Sequence, residues 1–106
     1  MSTVWEFPLC FHTKAEGRGR RLLMKELKIG ILQQHNVADT RTNMERLAEG
    51  IADLAHRGAE LIVLQELHNS LYFCQTENVE NFDLAEPVPG PSTDFYGGLA
   101  RRLGVV

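Results

Sequence analysis

The chain has 106 residues, of which 43% are hydrophobic and 24% charged, a profile typical of a single globular segment. Its formal net charge of −3 offers no basic footprint for nucleic acid, and no apolar run approaches the roughly 18 residues that would predict a membrane span. Because so short a chain buries a smaller fraction of its surface than a larger domain does, a big α/β sheet built from these residues alone would be marginal.

Residues 1–27 come before the first clear pattern. The first 23 mix aromatic, proline and cysteine residues with a basic stretch at 18–21, and they follow neither helical nor strand periodicity. A run that resembles a natural protein start begins at Met24. We predict that residues 1–27 are a disordered or mis-annotated leader. A secretory signal peptide is not indicated, so the cytoplasm is the expected compartment.

The cysteines and histidines give no sign of a metal centre. Cys10 and Cys74 are far apart and form no CxxC pair, so neither a disulfide framework nor a zinc site is predicted. The histidines are equally scattered, at His12, His35, His56 and His68.

Two apolar runs predict strands. Ile29, Ile31 and Leu32 are followed by the polar residues 33–36, as at the end of a buried strand. The continuous apolar run Leu61–Leu64 predicts a second strand that is covered on both faces.

An amphipathic helix is predicted between these strands. Asp39, Thr40 and Thr42 can cap its start, with Thr42 and Glu45 at capping-box spacing, and Gly58 can end it. Apolar residues recur at helical intervals, at Met44, Leu47, Ile51, Leu54 and Ala55. The resulting βαβ unit is expected to have parallel strands and a right-handed crossover.

A second helix and the opening of a third strand complete the pattern. Ser92 or Thr93 can cap the helix and Gly104 can end it, with Phe95, Leu99 and Leu103 along one face. Val105 and Val106 would begin the strand. The fold class is therefore α/β, in the order βαβα(β), and the sheet is expected to be incomplete.

Glu66 is the candidate catalytic residue, because ligand sites in open α/β sheets lie beyond the carboxyl ends of the strands. We expect a carboxylate directly after four buried apolar residues to be partly desolvated, which suits a group that accepts and returns a proton. On position alone, an acid that caps a turn or forms a salt bridge is the commoner outcome. Residues 33–39 contain no glycine to cradle phosphates, and the polar amides and His35 directly after the first strand do not provide the acids of a receiver domain, which disfavours both classes.

The loop after Glu66 is long, and loops of this length are usually functional or disordered. Tyr72 and Phe73 either wall a pocket or pin the loop to the core. Cys74 has no closely flanking lysine or arginine to activate it, and we expect a buried, inert thiol.

Several segments together resemble the opening of a carbon-nitrogen hydrolase of the nitrilase superfamily. They are Lys28-Ile29-Gly30-Ile31-Leu32-Gln33-Gln34, the helix with Asn43, Leu61-Ile62-Val63-Leu64-Gln65-Glu66-Leu67, Tyr72-Phe73-Cys74-Gln75, Pro89-Gly90-Pro91-Ser92 and Leu103-Gly104-Val105-Val106. The Gln-Glu-Leu and Tyr-Phe-Cys-Gln motifs point in particular to N-carbamoylputrescine amidases. The resemblance covers residues 28–106.

This resemblance implies that residues 28–106 are the incomplete N-terminal part of a nitrilase-type αββα sandwich. The family uses a Glu as general base and acid, a Cys nucleophile and a Lys that stabilises the oxyanion. Only Glu66 matches one of these motifs; neither Lys28 nor Cys74 does. The implied reaction converts N-carbamoylputrescine to putrescine, carbon dioxide and ammonia, a step of polyamine biosynthesis. No metal or organic cofactor is expected, and the intact enzyme is expected to be a homo-oligomer.

Three functional hypotheses remain open at this point. The first is a truncated amidase that is inactive alone, because a catalytic unit without its nucleophile loses nearly all of its effect. The second is a non-catalytic α/β binding or interaction fragment. The third is a hydrolase for another ureido or amide substrate.

Overall fold

The computed structural model describes residues 1–11, 23–75 and 77–106. Within these residues the structure has three strands, two α-helices and one short 3₁₀ helix. Their bounds are β1 Ser2–Phe11, β2 Leu23–Leu32, α1 Thr40–His56, β3 Leu61–Leu64, the 3₁₀ helix Val79–Leu84 and α2 Pro91–Leu103. This arrangement confirms the predicted α/β class.

The strands form one sheet in the order β1-β2-β3. The first two strands pair antiparallel, from Ser2 opposite Leu32 to Phe11 opposite Leu23. The structure describes Ser2–Phe11 as a strand within the predicted leader, and a strand that lacks clear alternation is held by backbone hydrogen bonds to its neighbour. Residues 12–22 lie outside the described residues, and whether the first residues are mis-annotated stays a prediction.

The predicted parallel pair is confirmed between β2 and β3, with Ile29 opposite Leu61 and Leu32 opposite Leu64. On the other side of β3, the Ile62 amide donates to the Val106 carbonyl at 2.7 Å, and the Val106 amide donates to the Glu60 carbonyl at 2.9 Å. The end of the chain therefore runs beside β3, as expected for the start of a third parallel strand.

Helix α1 begins at a cap supplied by Asp39, whose carboxylate accepts from the Thr42 amide at 2.8 Å. The Thr42 hydroxyl also donates to this carboxylate, at 2.5 Å, and the hydroxyl first and then the amide lower the pKa of Asp39 below its usual 3.8. The predicted Thr42–Glu45 capping box does not form, because Glu45 pairs instead with Arg41 at 2.8 Å. Past the end of the helix, Gly58 adopts a φ of 90°, which agrees with the prediction that this glycine ends the helix.

Helix α2 begins after Gly90, whose amide donates to the Thr93 hydroxyl at 2.6 Å. It ends at Gly104, which takes the left-handed conformation with a φ of 70°. Of the three apolar residues predicted along one face, Leu99 is buried and contributes to the core, whereas Phe95 is 38% exposed.

The core lies on one side of the sheet. Its buried apolar members are Leu32, Leu47, Ile51, Leu54, Ala59 and Leu99. On the opposite side, the described residues leave Ile31 44% and Val63 47% exposed, and these two residues pair across β2 and β3. The prediction that the second strand is covered on both faces is therefore wrong for the described chain, because α1 and α2 both pack on the side of Leu32.

Candidate functional site

A cleft of about 840 Å³ opens at the carboxyl ends of β2 and β3. Both strand exits and the following loop line it, and the lining combines polar side chains with the apolar residues Met1, Leu67 and Leu71. The lining residues are Met1, Gln33, Gln34, His35, Asn36, Gln65, Glu66, Leu67, Ser70, Leu71, Tyr72 and Gln75. The structure thus places the predicted residue Glu66 in a concave site at the sheet edge where ligands of such folds bind.

The Glu66 side chain is exposed. The expected desolvation is not present in the described residues, because β3 ends at Leu64 and the chain turns outward from there. The next residue, Leu67, has a φ of 51°, which is unusual for a bulky side chain. Glu66 therefore stands between a regular strand and a strained turn, with its carboxylate open to the cleft.

The two strand exits are joined by amide side chains. The Gln34 backbone amide donates to the side-chain oxygen Oε1 of Gln65 at 2.6 Å, and this hydrogen bond connects the end of β2 to the residue before Glu66. The Gln34 side chain in turn donates to Asn36 Oδ1 at 2.8 Å and to the Asn43 carbonyl at 3.2 Å.

Sequence reasoning missed two buried asparagines, Asn36 in the lining of the cleft and Asn43 behind it. Among the described residues, the buried polar side chains are Asn36 and Asn43. Asn43 precedes Leu47 by four residues and so lies on the apolar face of α1. An amide at such a position is the signal that could have marked it, since a buried amide must be hydrogen-bonded.

Both aromatic residues of the loop after Glu66 line a cavity, which is the first of the two alternatives for Tyr72 and Phe73. Tyr72 lines the Glu66 cleft, whereas Phe73 is partly buried in the wall of a second cavity. Cys74 is exposed, which corrects the expectation of a buried thiol. A hydrogen bond to the Cys74 side chain raises the pKa of the Tyr72 hydroxyl above its usual 10.0.

The second cavity has a volume of about 1120 Å³ and lies between the 3₁₀ helix, the start of α2 and the loop that carries His68. The His68 ring packs edge-on against Tyr96 with ring centres 5.2 Å apart. Burial lowers the pKa of His68 below its usual 6.5, although the Gln65 backbone and Glu86 oppose this change. Burial and then the Glu86 charge raise the pKa of Tyr96 to about 12.

Lys28 and Cys74 do not join Glu66. Lys28 lies at the opposite end of the β2–β3 pair, where its Nζ pairs with Glu6 at 3.1 Å. Cys74 lines the second cavity rather than the cleft. Within residues 1–11, 23–75 and 77–106, no group of three or more His, Cys, Asp or Glu side chains could hold a metal ion. None of the helices described is long and apolar enough to span a membrane.

The carbon-nitrogen hydrolase family model matches residues 28–106, which include both strand exits and Glu66. The chain belongs to the carbon-nitrogen hydrolase family. This match covers most of the chain and confirms the resemblance drawn from the strand and loop motifs.

Several relatives refine the comparison. An N-carbamoylputrescine amidase of Solanum lycopersicum is 40% identical over 80 residues, which is 74% of this chain and 26% of that protein. The N-carbamoylputrescine amidase of Arabidopsis thaliana is 30% identical over 94 residues, covering 88% of this chain and 30% of that protein. A citrullinase of Francisella tularensis subsp. tularensis is 31% identical over 84 residues, covering 78% and 29%. The chain therefore spans between a quarter and a third of the length of these relatives.

Proposed function

We propose that the complete enzyme containing this chain hydrolyses the ureido group of N-carbamoylputrescine to putrescine, carbon dioxide and ammonia. The observation that carries the proposal is the position of Glu66. It is an exposed carboxylate at the carboxyl end of β3 in an open polar cleft, within the family-matched residues 28–106. The similarity to two plant N-carbamoylputrescine amidases supports the choice of substrate.

In this proposal Glu66 moves the proton. It accepts the proton of a cysteine thiol while the sulfur attacks the ureido carbon, and it returns that proton to the nitrogen that departs as the carbon-nitrogen bond breaks. Glu66 then takes a proton from water, whose oxygen attacks the S-carbamoyl carbon; the carbon-sulfur bond breaks and the proton returns to the cysteine sulfur. The carbamic acid released in this step decomposes to carbon dioxide and ammonia. A carboxylate that is open to the cleft can reach both the thiol and the water.

The nucleophile and the oxyanion-stabilising lysine are assigned to another part of the complete protein. Cys74 lines a different cavity, and Lys28 lies at the far end of the strands in an ion pair. On this proposal the 106-residue chain alone has no hydrolase activity. We also propose that the complete enzyme works as a homo-oligomer in the cytoplasm, without a metal or organic cofactor.

Citrulline is the second candidate substrate, because a citrullinase is among the relatives. Citrulline and N-carbamoylputrescine share the terminal ureido group, so the same proton transfers serve both. They differ at the far end of the molecule, where citrulline carries an α-amino acid and N-carbamoylputrescine a simple amine.

An assay of the complete enzyme separates these candidates. Ammonia release is measured with each ureido compound at equal concentration, and the organic product is identified as putrescine or ornithine by chromatography. We expect kcat/KM to be higher for N-carbamoylputrescine by at least about tenfold, which corresponds to roughly 1.4 kcal/mol of transition-state binding. Higher kcat/KM for citrulline would reassign the substrate. Ammonia release from neither compound, nor from a panel of small amides, would favour a non-catalytic binding role.

A further inference from the structure

The carboxylate of Glu66 has no hydrogen-bond partner of its own among the described side chains. Its location is therefore determined by the backbone on either side. The preceding residue, Gln65, is held at the edge of the sheet because its side-chain oxygen accepts a hydrogen bond from the Gln34 backbone amide at 2.6 Å. The following residue, Leu67, sits at a φ of 51°. A bulky residue keeps such a conformation only when the surrounding contacts hold it there.

Asn36 supplies those contacts. Its Nδ2 donates to the Leu67 carbonyl at 2.9 Å and to the Ser70 carbonyl at 2.6 Å. Its Oδ1 accepts from the Gln34 side chain at 2.8 Å. Both protons of the amide group and its oxygen are thus used, and the side chain is only 8% exposed.

Asn43 reinforces the same turn from α1. Its Nδ2 donates to the Val37 carbonyl at 2.7 Å and to the Asn69 carbonyl at 3.1 Å, while its Oδ1 accepts from the Val37 amide at 2.9 Å. Two buried asparagines from the β2–α1 region therefore hold three carbonyls within residues 67–70, directly after Glu66.

Packing of the core does not require the side-chain amides of Asn36 and Asn43. Position 43 continues the apolar face of Leu47, Ile51 and Leu54, where another apolar side chain would avoid the cost of burying an amide. Asn36 lines the cleft at its buried end, and its two donated bonds both reach the turn after Glu66. The hydrogen bonds that compensate for burial are thus directed at the segment that carries the carboxylate.

We propose that Asn36 is a positioning residue for Glu66, acting through the Leu67 carbonyl, with Asn43 as its second support. This inference rests on the proposed function, in which Glu66 transfers the proton. Its consequence is kinetic, since a small displacement of a catalytic group lowers turnover while leaving the substrate contacts largely in place.

The test uses Asn36→Ala and Asn36→Ser in the complete enzyme, with ammonia release as the readout. Alanine removes both donors, and serine keeps one short donor and serves as the milder variant should alanine prevent folding. We expect kcat to fall by about 100-fold for alanine and by about tenfold for serine, with KM within threefold of the parent value.

Tyr96→Phe is the matched control. It removes the 2.5 Å hydrogen bond from the Tyr96 hydroxyl to Asn69 Oδ1, so it loosens the same loop without touching the Leu67 carbonyl. We expect this variant to lower the melting temperature while kcat stays within threefold of the parent. A folded Asn36 variant with parental kcat would overturn the proposal, and so would an equal loss of kcat in Tyr96→Phe.

Glu66→Gln, measured beside these variants, distinguishes a failure of the positioning role of Asn36 from a failure of the proposed function of Glu66. If Glu66→Gln is nearly inactive and the Asn36 variants are fully active, the positioning role fails while the proposed function stands. If Glu66→Gln keeps its turnover, the role of Glu66 in the proposed function fails, and the positioning role fails with it.

Discussion

On one side of the sheet, Leu32 lies under α1 and is 6% exposed, while on the other side its chain neighbour Ile31 is 44% exposed. Both residues belong to β2, and only the alternation of side chains separates them. The helix side is packed by this chain's own residues, with Leu47 and Leu54 fully buried. The open side carries apolar residues and needs a second layer, which a nitrilase-type sandwich supplies as its second sheet.

The largest expected effect compares the same substitution on the two sides in the complete protein. Ile51→Ala, on the covered side, is expected to lower the free energy of unfolding by about 2–5 kcal/mol, because a cavity replaces the buried side chain. Ile31→Ala should cost a similar amount once a second sheet covers that face. Chemical denaturation of both variants measures the difference.

A low cost for Ile31→Ala, near that of an ordinary surface substitution of about 0.5 kcal/mol, would mean that the face stays open in the complete protein. The sandwich interpretation of the exposed residues would then be wrong, even with the full cost retained for Ile51→Ala.

A smaller effect is expected in the isolated 106-residue chain, whose open apolar face should drive self-association. Val63→Lys introduces a charge on that face and is expected to weaken association by roughly tenfold, the equivalent of about 1.4 kcal/mol. Val79→Lys is the control, because Val79 is 79% exposed and lies in the 3₁₀ helix. Sedimentation velocity compares the two. If both lysine substitutions weaken self-association equally, the effect is due to net charge and not to the apolar face of the sheet.

The smallest expected effect is the pH dependence of folding stability that His68 contributes. Burial lowers the pKa of His68 below 6.5 in the folded chain, so the unfolded chain binds more protons between the folded pKa and 6.5. Stability therefore rises with pH through that window and is lost as pH falls through it. His68→Gln should flatten this dependence, and the parent chain is the comparison. Denaturation between pH 5 and 8 tests this, and identical slopes for parent and His68→Gln would contradict it.

Much of the fold could be predicted because it depends on local patterns. The apolar spacing predicted α1 and α2, Gly58 and Gly104 predicted their ends, and the run Leu61–Leu64 predicted β3. The position of Glu66 followed from the rule for strand ends. These features are set by periodicity and by the conformational freedom of glycine.

The remaining features depend on partners that are distant in the chain. Ser2–Phe11 forms a strand because β2 offers it an edge, and its own sequence carries no strand pattern. Asn36 acquires its role from carbonyls more than 30 residues away. Cys74 was predicted to be buried from its chemistry alone, and the loop that carries it holds it at the surface.

The most direct test of the account substitutes the same residue type at the two ends of β3 in the complete enzyme. Glu66→Gln removes the proposed base, and Glu60→Gln changes an exposed glutamate at the strand's beginning. We predict that Glu66→Gln folds normally and loses at least about 100-fold in turnover of N-carbamoylputrescine, the usual contribution of a positioned base, while Glu60→Gln keeps turnover within about twofold. Near-parental turnover in Glu66→Gln would contradict the account.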